Sequence, residues 1–368
     1  MYNIIKYIIL MTNLLPYDIS QIIFSILDTI WQMRYRQIDN ISYTELQITN
    51  IDENLLIMRL NPEQLCNYPY ISQLNCGFTR INNAILKKLP YLQKLDVSCT
   101  SHITDILNLT SLTELNAISC GLTNAGIKGL SQLRKLKIIF TKRITQISHL
   151  TSLTELDAGL TEISESELQY LTRLRRLNLD DNETVTSIPY LNNLVNLSIR
   201  GNCGIRNEGL KGLNNLCKLD ISNNQQITDI SHFTRLIELV MDGKCGVTDS
   251  SFQNTILPNL KRLSVNENTN ITNIAHLTGL LEVHANYSRI TTRGTYNLTR
   301  LQHLDVAYNQ YVTDVSHLSG LTELNASGTE CRISDVSLRG LHKLKKLTTL
   351  ENTRIKNISH LTQLVELD

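Results

Sequence analysis

Residues 92–111 read Leu-Gln-Lys-Leu-Asp-Val-Ser-Cys-Thr-Ser-His-Ile-Thr-Asp-Ile-Leu-Asn-Leu-Thr-Ser, and this stretch decides the reading of most of the chain. Counted from Leu92, apolar side chains stand at Leu95, Val97, Ile103, Ile106 and Leu109. The first part alternates apolar and polar as a short strand does, because successive side chains point to opposite faces. The second part places an apolar residue every third position. The frame restarts at Leu112, Leu133, Leu153, Leu174, Leu194, Leu216, Leu236, Leu260, Leu280, Leu301, Leu321 and Leu344. One earlier unit opens at Ile71 and a last one begins at Leu364. Self-similarity at such a period is the mark of a solenoid, in which each unit buries its apolar face against its neighbours.

The units come in two lengths. Those opening at Leu92, Leu133, Leu174, Leu216, Leu260, Leu301 and Leu344 run 20 residues, and those between them run 21 to 24. The true period is therefore a pair. Short units carry segments such as Ile227–Thr234, whose Ile227, Ile230 and Phe233 suit a 3-10 or extended return path. Long units carry segments such as Leu122–Leu130, Ile205–Leu213 and Ile333–Leu341, with room for a helical turn.

The opening Leu-x-x-Leu-x-(Leu/Val/Ile/Ala) and the frequent Asn eight residues on (Asn182, Asn202, Asn224, Asn268, Asn309, Asn352) resemble leucine-rich repeats. Where Asn is missing, Cys120, Thr100, Thr141, Thr161, Ser288 or Thr329 stands in its place. The resemblance implies an α/β solenoid: a curved parallel sheet with short helical or 3-10 convex segments, preceded by a small helical N-terminal module. It also implies an asparagine ladder that satisfies the backbone groups of the turns. Short units look like internalin repeats, and long units like the repeats of F-box proteins.

Composition agrees with a Leu/Ile core, with 42% hydrophobic and only 5% aromatic residues. The balance of 35 basic against 34 acidic residues offers no global field for nucleic acid or an anionic membrane. No apolar run approaches the ~20 residues that span a bilayer. The eight cysteines are scattered without a CxxC pair and read as free thiols in a reducing, cytoplasmic compartment. Residues 1–10 contain only Lys6 as a basic residue, and Pro16-Tyr17-Asp18 follows instead of a small-residue cleavage site, which argues against a secretory signal. Met11 is an alternative start.

Position 2 of each unit points out of the strand, onto the concave face. In order it holds Lys94, Glu114, Lys135, Glu155, Arg176, Asn196, Lys218, Glu238, Arg262, Glu282, His303, Glu323, Lys346 and Glu366. Base alternates with acid except at Asn196 and His303. A self-neutralising ladder is favoured here over a charged binding stripe. Asn196, Val240 and His303 interrupt the pattern and are the concave-face candidates for target contact. His149, His232, His276, His317 and His360 recur at one position of short units. They lie a unit pair apart, ~10 Å or more, so two of them cannot share a zinc ion whose ligand nitrogens stand ~2.1 Å away. No catalytic motif is present, so an enzyme, a cofactor or a metal is not expected.

Four segments follow: a tail over 1–13, a helical segment over 14–50, a degenerate capping repeat over 51–70, and the repeats over 71–368. Ile19, Ile22, Ile23 and Ile26 recur at helical spacing, with Pro16 and Asp18 suited to a helix start. Leu15, Pro16, Asp18, Ile19, Ile23, Phe24 and Leu27 resemble the opening of an F-box, although Trp31 comes early for that pattern. On an Ile- and Asn-rich background this resembles the repeat proteins of giant viruses of amoebae. The F-box resemblance implies docking to a Skp1-like adaptor through Leu15, Pro16, Ile19, Ile23, Phe24 and Leu27. The repeats would then present a target protein to a cullin-type ubiquitin ligase. The alternatives are a capping helix on a scaffold or regulator with no ubiquitin link, and a secreted internalin-like adhesin. The chain stops at Leu367-Asp368 just after a strand begins, which suggests a covering partner or a truncated relative of longer proteins.

Overall fold

The computed structural model describes residues 50–51, 65, 70–77, 79, 81–252 and 255–368. It divides into two compact units, residues 1–144 and 145–368. The F-box-like residues Leu15, Pro16, Ile19, Ile23, Phe24 and Leu27 lie outside the described residues. In the first unit, strands β1 (Asn50–Ile51), β2 (Gln73–Asn75), β3 (Lys94–Asp96), β4 (Glu114–Asn116) and β5 (Lys135–Lys137) follow chain order. In the second, the strands are β6 (Glu155–Asp157), β7 (Arg176–Asn178), β8 (Asn196–Ser198), β9 (Lys218–Asp220), β10 (Glu238–Val240) and β11 (Arg262–Ser264). They continue with β12 (Glu282–His284), β13 (His303–Asp305), β14 (Glu323–Asn325), β15 (Lys346–Thr348) and β16 (Glu366–Leu367). Within each unit every strand pairs in parallel with the next at identical repeat positions, as in Lys94↔Glu114 and Glu238↔Arg262. This is a leucine-rich-repeat solenoid.

Strands β2 to β15 are three residues long because only their middle Leu or Val needs to enter the core. Leu95, Leu115, Leu177 and Leu219 are at most 3% exposed, as are Leu92, Val97, Ile103, Ile106 and Leu109 of the same frame. Removing such a Leu side chain costs about 2–5 kcal/mol. Beyond each strand the ladder continues through the turn, for instance Val97 N–H to Asn116 O at 2.8 Å and Ile199 N–H to Asp220 O at 2.9 Å. Two residues on, the chain enters the left-handed region in unit after unit. The residues are Cys99, Ser119, Phe140, Leu160, Asp181, Asn223, Glu267, Tyr287, Tyr308 and Glu351, with Gly201, Gly243 and Gly328 at the same place. An L side chain there costs roughly 1–2 kcal/mol, so these three glycines mark a backbone requirement of the repeat.

The two unit lengths have different return paths. Every long unit forms one helical turn: α1 (Asn83–Leu86), α2 (Asn124–Ile127), α3 (Glu165–Leu168), α4 (Asp249–Phe252), or a 3-10 turn at Asn207–Leu210, Arg293–Thr295 or Asp335–Leu338. Short units form no helical turn there, as at 227–230. A polar side chain at the start of the helical turn clasps the following short unit. Asn207 Oδ1 accepts from Thr228 N–H at 3.0 Å and Asp229 N–H at 3.2 Å. Asp249 does so with Thr272 and Asn273, and Asp335 with Lys356 and Asn357. On the other side the short unit donates to the helical turn, through Ile188 N–H to Gly209 O at 2.9 Å. This approach is so close that a Cβ on Gly209 would lie 2.2 Å from the Thr186 carbonyl oxygen.

The asparagine ladder is real but differs from the simple count of eight. Asn182, Asn224, Asn268, Asn309 and Asn352 are buried in short units. Asn309 Nδ2 donates to Ser288 Oγ at 3.1 Å and Ile290 O at 3.2 Å, while its Oδ1 accepts from Tyr311 and Val312 N–H at 2.8 and 3.0 Å. Asn202 and Thr329, in contrast, are exposed. Their units carry one or more extra residues, which push these side chains outward and turn Cys203 and Cys331 inward instead.

Candidate functional site

The outward face of the strands is the candidate site. Its first row is the charge ladder, and the register sets each base beside an acid. In the first unit Lys94 and Lys135 Nζ stand 3.4 and 3.8 Å from Glu114 Oε1. In the second unit Arg176 lies 4.0 Å from Glu155. Glu238 is the most enclosed acid of the row. Lys218 lies 2.5 Å from its Oε1, and Arg262 donates through Nε and Nη2 to its Oε2 at 3.1 and 2.6 Å. Burial alone would raise the Glu238 pKa, but the hydrogen bonds from Lys218 and Arg262 outweigh it and hold the carboxyl below its usual range. Exposed pairs of this kind contribute roughly 0–1 kcal/mol each. They leave a neutral, ordered surface.

The second outward row is polar and linked by hydrogen bonds. Asn116 Nδ2 donates to Asp96 at 2.7 Å, Ser198 Oγ to Asp180 at 2.6 Å, and Ser264 Oγ to Asp242 at 2.6 Å. The candidates Asn196, Val240 and His303 are half-exposed on β8, β10 and β13. Strand steps of ~4.8 Å keep them apart, so they do not form one contact point. Asn196 sits in register between Arg176 and Lys218, and Val240 between Asp220 and Ser264.

His303 gathers a cluster that the repeat count missed. Its Nδ1 is 3.0 Å from Glu323 Oε2, and its ring centroid is 5.1 Å from that of His284. His284 Nε2 is 2.7 Å from Glu282 Oε1. One ligand atom from each of Glu282, His284 and His303 lies within 4.8 Å of the others. Among the described residues, this is the one place where three potential metal ligands converge. The signal was available: two-residue spacing on one strand and a shared repeat position on the next put all three on one face. Beside it Tyr287 and Tyr308 stack at 4.5 Å, nearly parallel at 4°, and Tyr308 OH donates to Glu351 at 2.9 Å.

The five repeated histidines are elsewhere, on the return path. His232 packs on Phe233 at 3.9 Å, His276 edges onto Phe252, and His317 stacks on Tyr296 and meets Thr295 Oγ1 at 3.2 Å. Burial lowers the His317 pKa. Several thiols are also packing groups. Burial pushes Cys203 up to about 11 and Cys245 up to about 12, so both stay protonated and poorly nucleophilic at neutral pH. Among the described residues no helix is long and apolar enough to cross a membrane.

The fold is that of a leucine-rich-repeat solenoid. No protein-family model matches the chain, and no curated protein matches it either. Solved structures do match it. An internalin of Listeria monocytogenes, InlF, aligns with TM-score 0.54 and 24% identity, over 86% of this chain and 92% of that one. The functional domain of InlJ from Listeria monocytogenes, described as including a cysteine ladder, aligns with TM-score 0.50 and 22% identity, over 86% and 66%. The leucine-rich-repeat protein LIC12759 of Leptospira interrogans aligns with TM-score 0.50 and 17% identity, over 89% and 96%. At these identities the likeness is one of fold.

Proposed function

We propose that the chain is a protein-recognition module that carries a target on the outward strand face and catalyses nothing itself. The observation that carries this reading is the self-paired ladder, with Glu114 and Glu238 each held between two bases. A nucleic-acid groove needs one sign of charge along its length. A self-neutralising first row with local interruptions, beside a polar row that adds carboxylates such as Asp96 and Asp242, suits a protein surface, which is read by shape and by a few central contacts. Asn196, Val240 and His303 are those interruptions, and Val240 places an apolar side chain among polar ones.

The finer proposal concerns residues 14–28. Leu15, Pro16, Ile19, Ile23, Phe24 and Leu27 match the start of an F-box. In this reading they dock a Skp1-like adaptor inside the cell, and the repeats deliver the target to a cullin-type ubiquitin ligase. The test is a pull-down of purified Skp1 by the full chain. Retention by the wild type and loss in Leu15→Ala/Pro16→Ala, with unchanged circular dichroism, is the expected result. If the wild type retains no Skp1, the ubiquitin link is rejected. Val240→Arg tests the recognition face separately, by loss of the proteins that co-purify with the wild type. Unchanged co-purification in Val240→Arg and in Asn196→Asp would remove that face from the proposal.

A further inference from the structure

We propose that Glu282, His284 and His303 form a binding site for one divalent transition-metal ion of the zinc class. Three observations converge on it. The first is the donor set: two imidazoles and one carboxylate, all within 4.8 Å. Imidazole with carboxylate suits zinc, nickel and copper, whereas magnesium and calcium favour oxygen alone. Three protein ligands with one open position is a common zinc arrangement. Bonds of ~2.0–2.1 Å hold tetrahedral ligand atoms about 3.4 Å apart, so only small side-chain rotations are needed. The side chains have that freedom, being 32–35% exposed.

The second observation is the way the ladder releases Glu282. Its in-register neighbour Arg262 gives both Nε and Nη2 to Glu238 instead. On the opposite side the ladder base is replaced by His303. Glu282 therefore turns along its own strand to His284 Nε2. An ion between them would replace that hydrogen bond with two coordinate bonds.

The third is the surrounding charge. Glu323 stands 3.0 Å from His303 Nδ1, the place from which a carboxylate orients a ligating imidazole. Asp305 is in register beside His284 and accepts from Asn286 Nδ2 at 3.0 Å. Three carboxylates around two imidazoles favour a cation. A bound ion would cross-link β12 to β13.

The experiment titrates the metal-free full chain with zinc(II) and, in parallel, with cobalt(II) followed by visible absorption. The expected result is one saturable equivalent of zinc, and cobalt bands from a site with nitrogen ligands. His284→Ala and His303→Ala should each weaken binding by about tenfold or more, and Glu323→Gln by about tenfold. His342→Gln and Cys99→Ser, elsewhere on the surface, should leave binding unchanged. Circular dichroism and melting of each variant establish that it remains folded. The proposal is overturned if the wild type shows no saturable binding. It is equally overturned if folded His284→Ala/His303→Ala binds zinc as the wild type does, which would assign the ion to thiols or to the return-path histidines.

Discussion

Asn309 shows how much one side chain carries in a repeat with three-residue strands. Its amide serves two donors and two acceptors of two successive turns, three of the four bonds in the buried interior. Replacement by Ala leaves several buried polar groups unpaired at about 1–3 kcal/mol each, part of which rearrangement recovers. Urea unfolding of Asn309→Ala should show a loss of about 2–4 kcal/mol, against a much smaller change for exposed Asn202→Ala. Equal costs at the two positions would contradict the inward and outward placement seen here. That placement was only partly legible. Counting eight residues from the first Leu finds the buried Asn of short units, but an inserted residue shifts the count in the units of Leu194 and Leu321. Inserted residues leave no signal of where the chain absorbs them. His317 gives the pH dependence at this scale. Burial lowers its folded-state pKa, so as pH falls through about 6.5 the unfolded chain takes up the proton first and stability is lost. Melting temperature should therefore drop between pH 7 and pH 5, with a smaller drop in His317→Gln. An equal drop in both proteins would remove His317 as a contributor.

At the scale of the element, the helical turns do more than fill the longer units. Asn83, Asn207, Asp249, Thr292 and Asp335, at or next to the first residue of their turns, hold backbone N–H groups of the next unit, and Asp249 is the fullest case. It accepts from Thr272 N–H at 2.9 Å, Thr272 Oγ1 at 2.5 Å and Asn273 N–H at 3.2 Å. Asp249→Ala should cost about 1–2 kcal/mol, in the range of a lost helix cap. Hydrogen exchange should accelerate first at residues 272 and 273, so an unchanged rate there would refute the clasp. The existence of these turns was legible from unit length alone, since 20 residues leave no slack and 21–24 do. The clasp was not legible, because it depends on which backbone groups of the next unit lack a partner. The same holds for Glu282, His284 and His303. Sequence spacing places them on one face, but only the cross-strand register shows that Arg262 turns away and lets them meet.

Within each compact unit the turns stack in chain order and most contacts join neighbouring turns, so stability is close to a sum over neighbouring pairs. Short and long turns differ on both surfaces. On the strand face they carry opposite charges, and on the return side one holds the clasp and the other receives it. Removing residues 260–279 takes out one short turn and brings Glu238 against Glu282, acid on acid, with two helical turns side by side. Removing residues 236–279 takes out a pair and brings Lys218 against Glu282, with the alternation intact. The larger deletion should melt at the higher temperature of the two, with circular dichroism closer to that of the full chain. A more stable single-turn deletion would disprove the pairing. The stack thus obeys a parity rule. Copy number can change by two at little cost, whereas a change by one leaves a fault line that no single substitution repairs. Over generations such a protein would lengthen or shorten in even steps, and its target-bearing face would grow by whole base-and-acid couples.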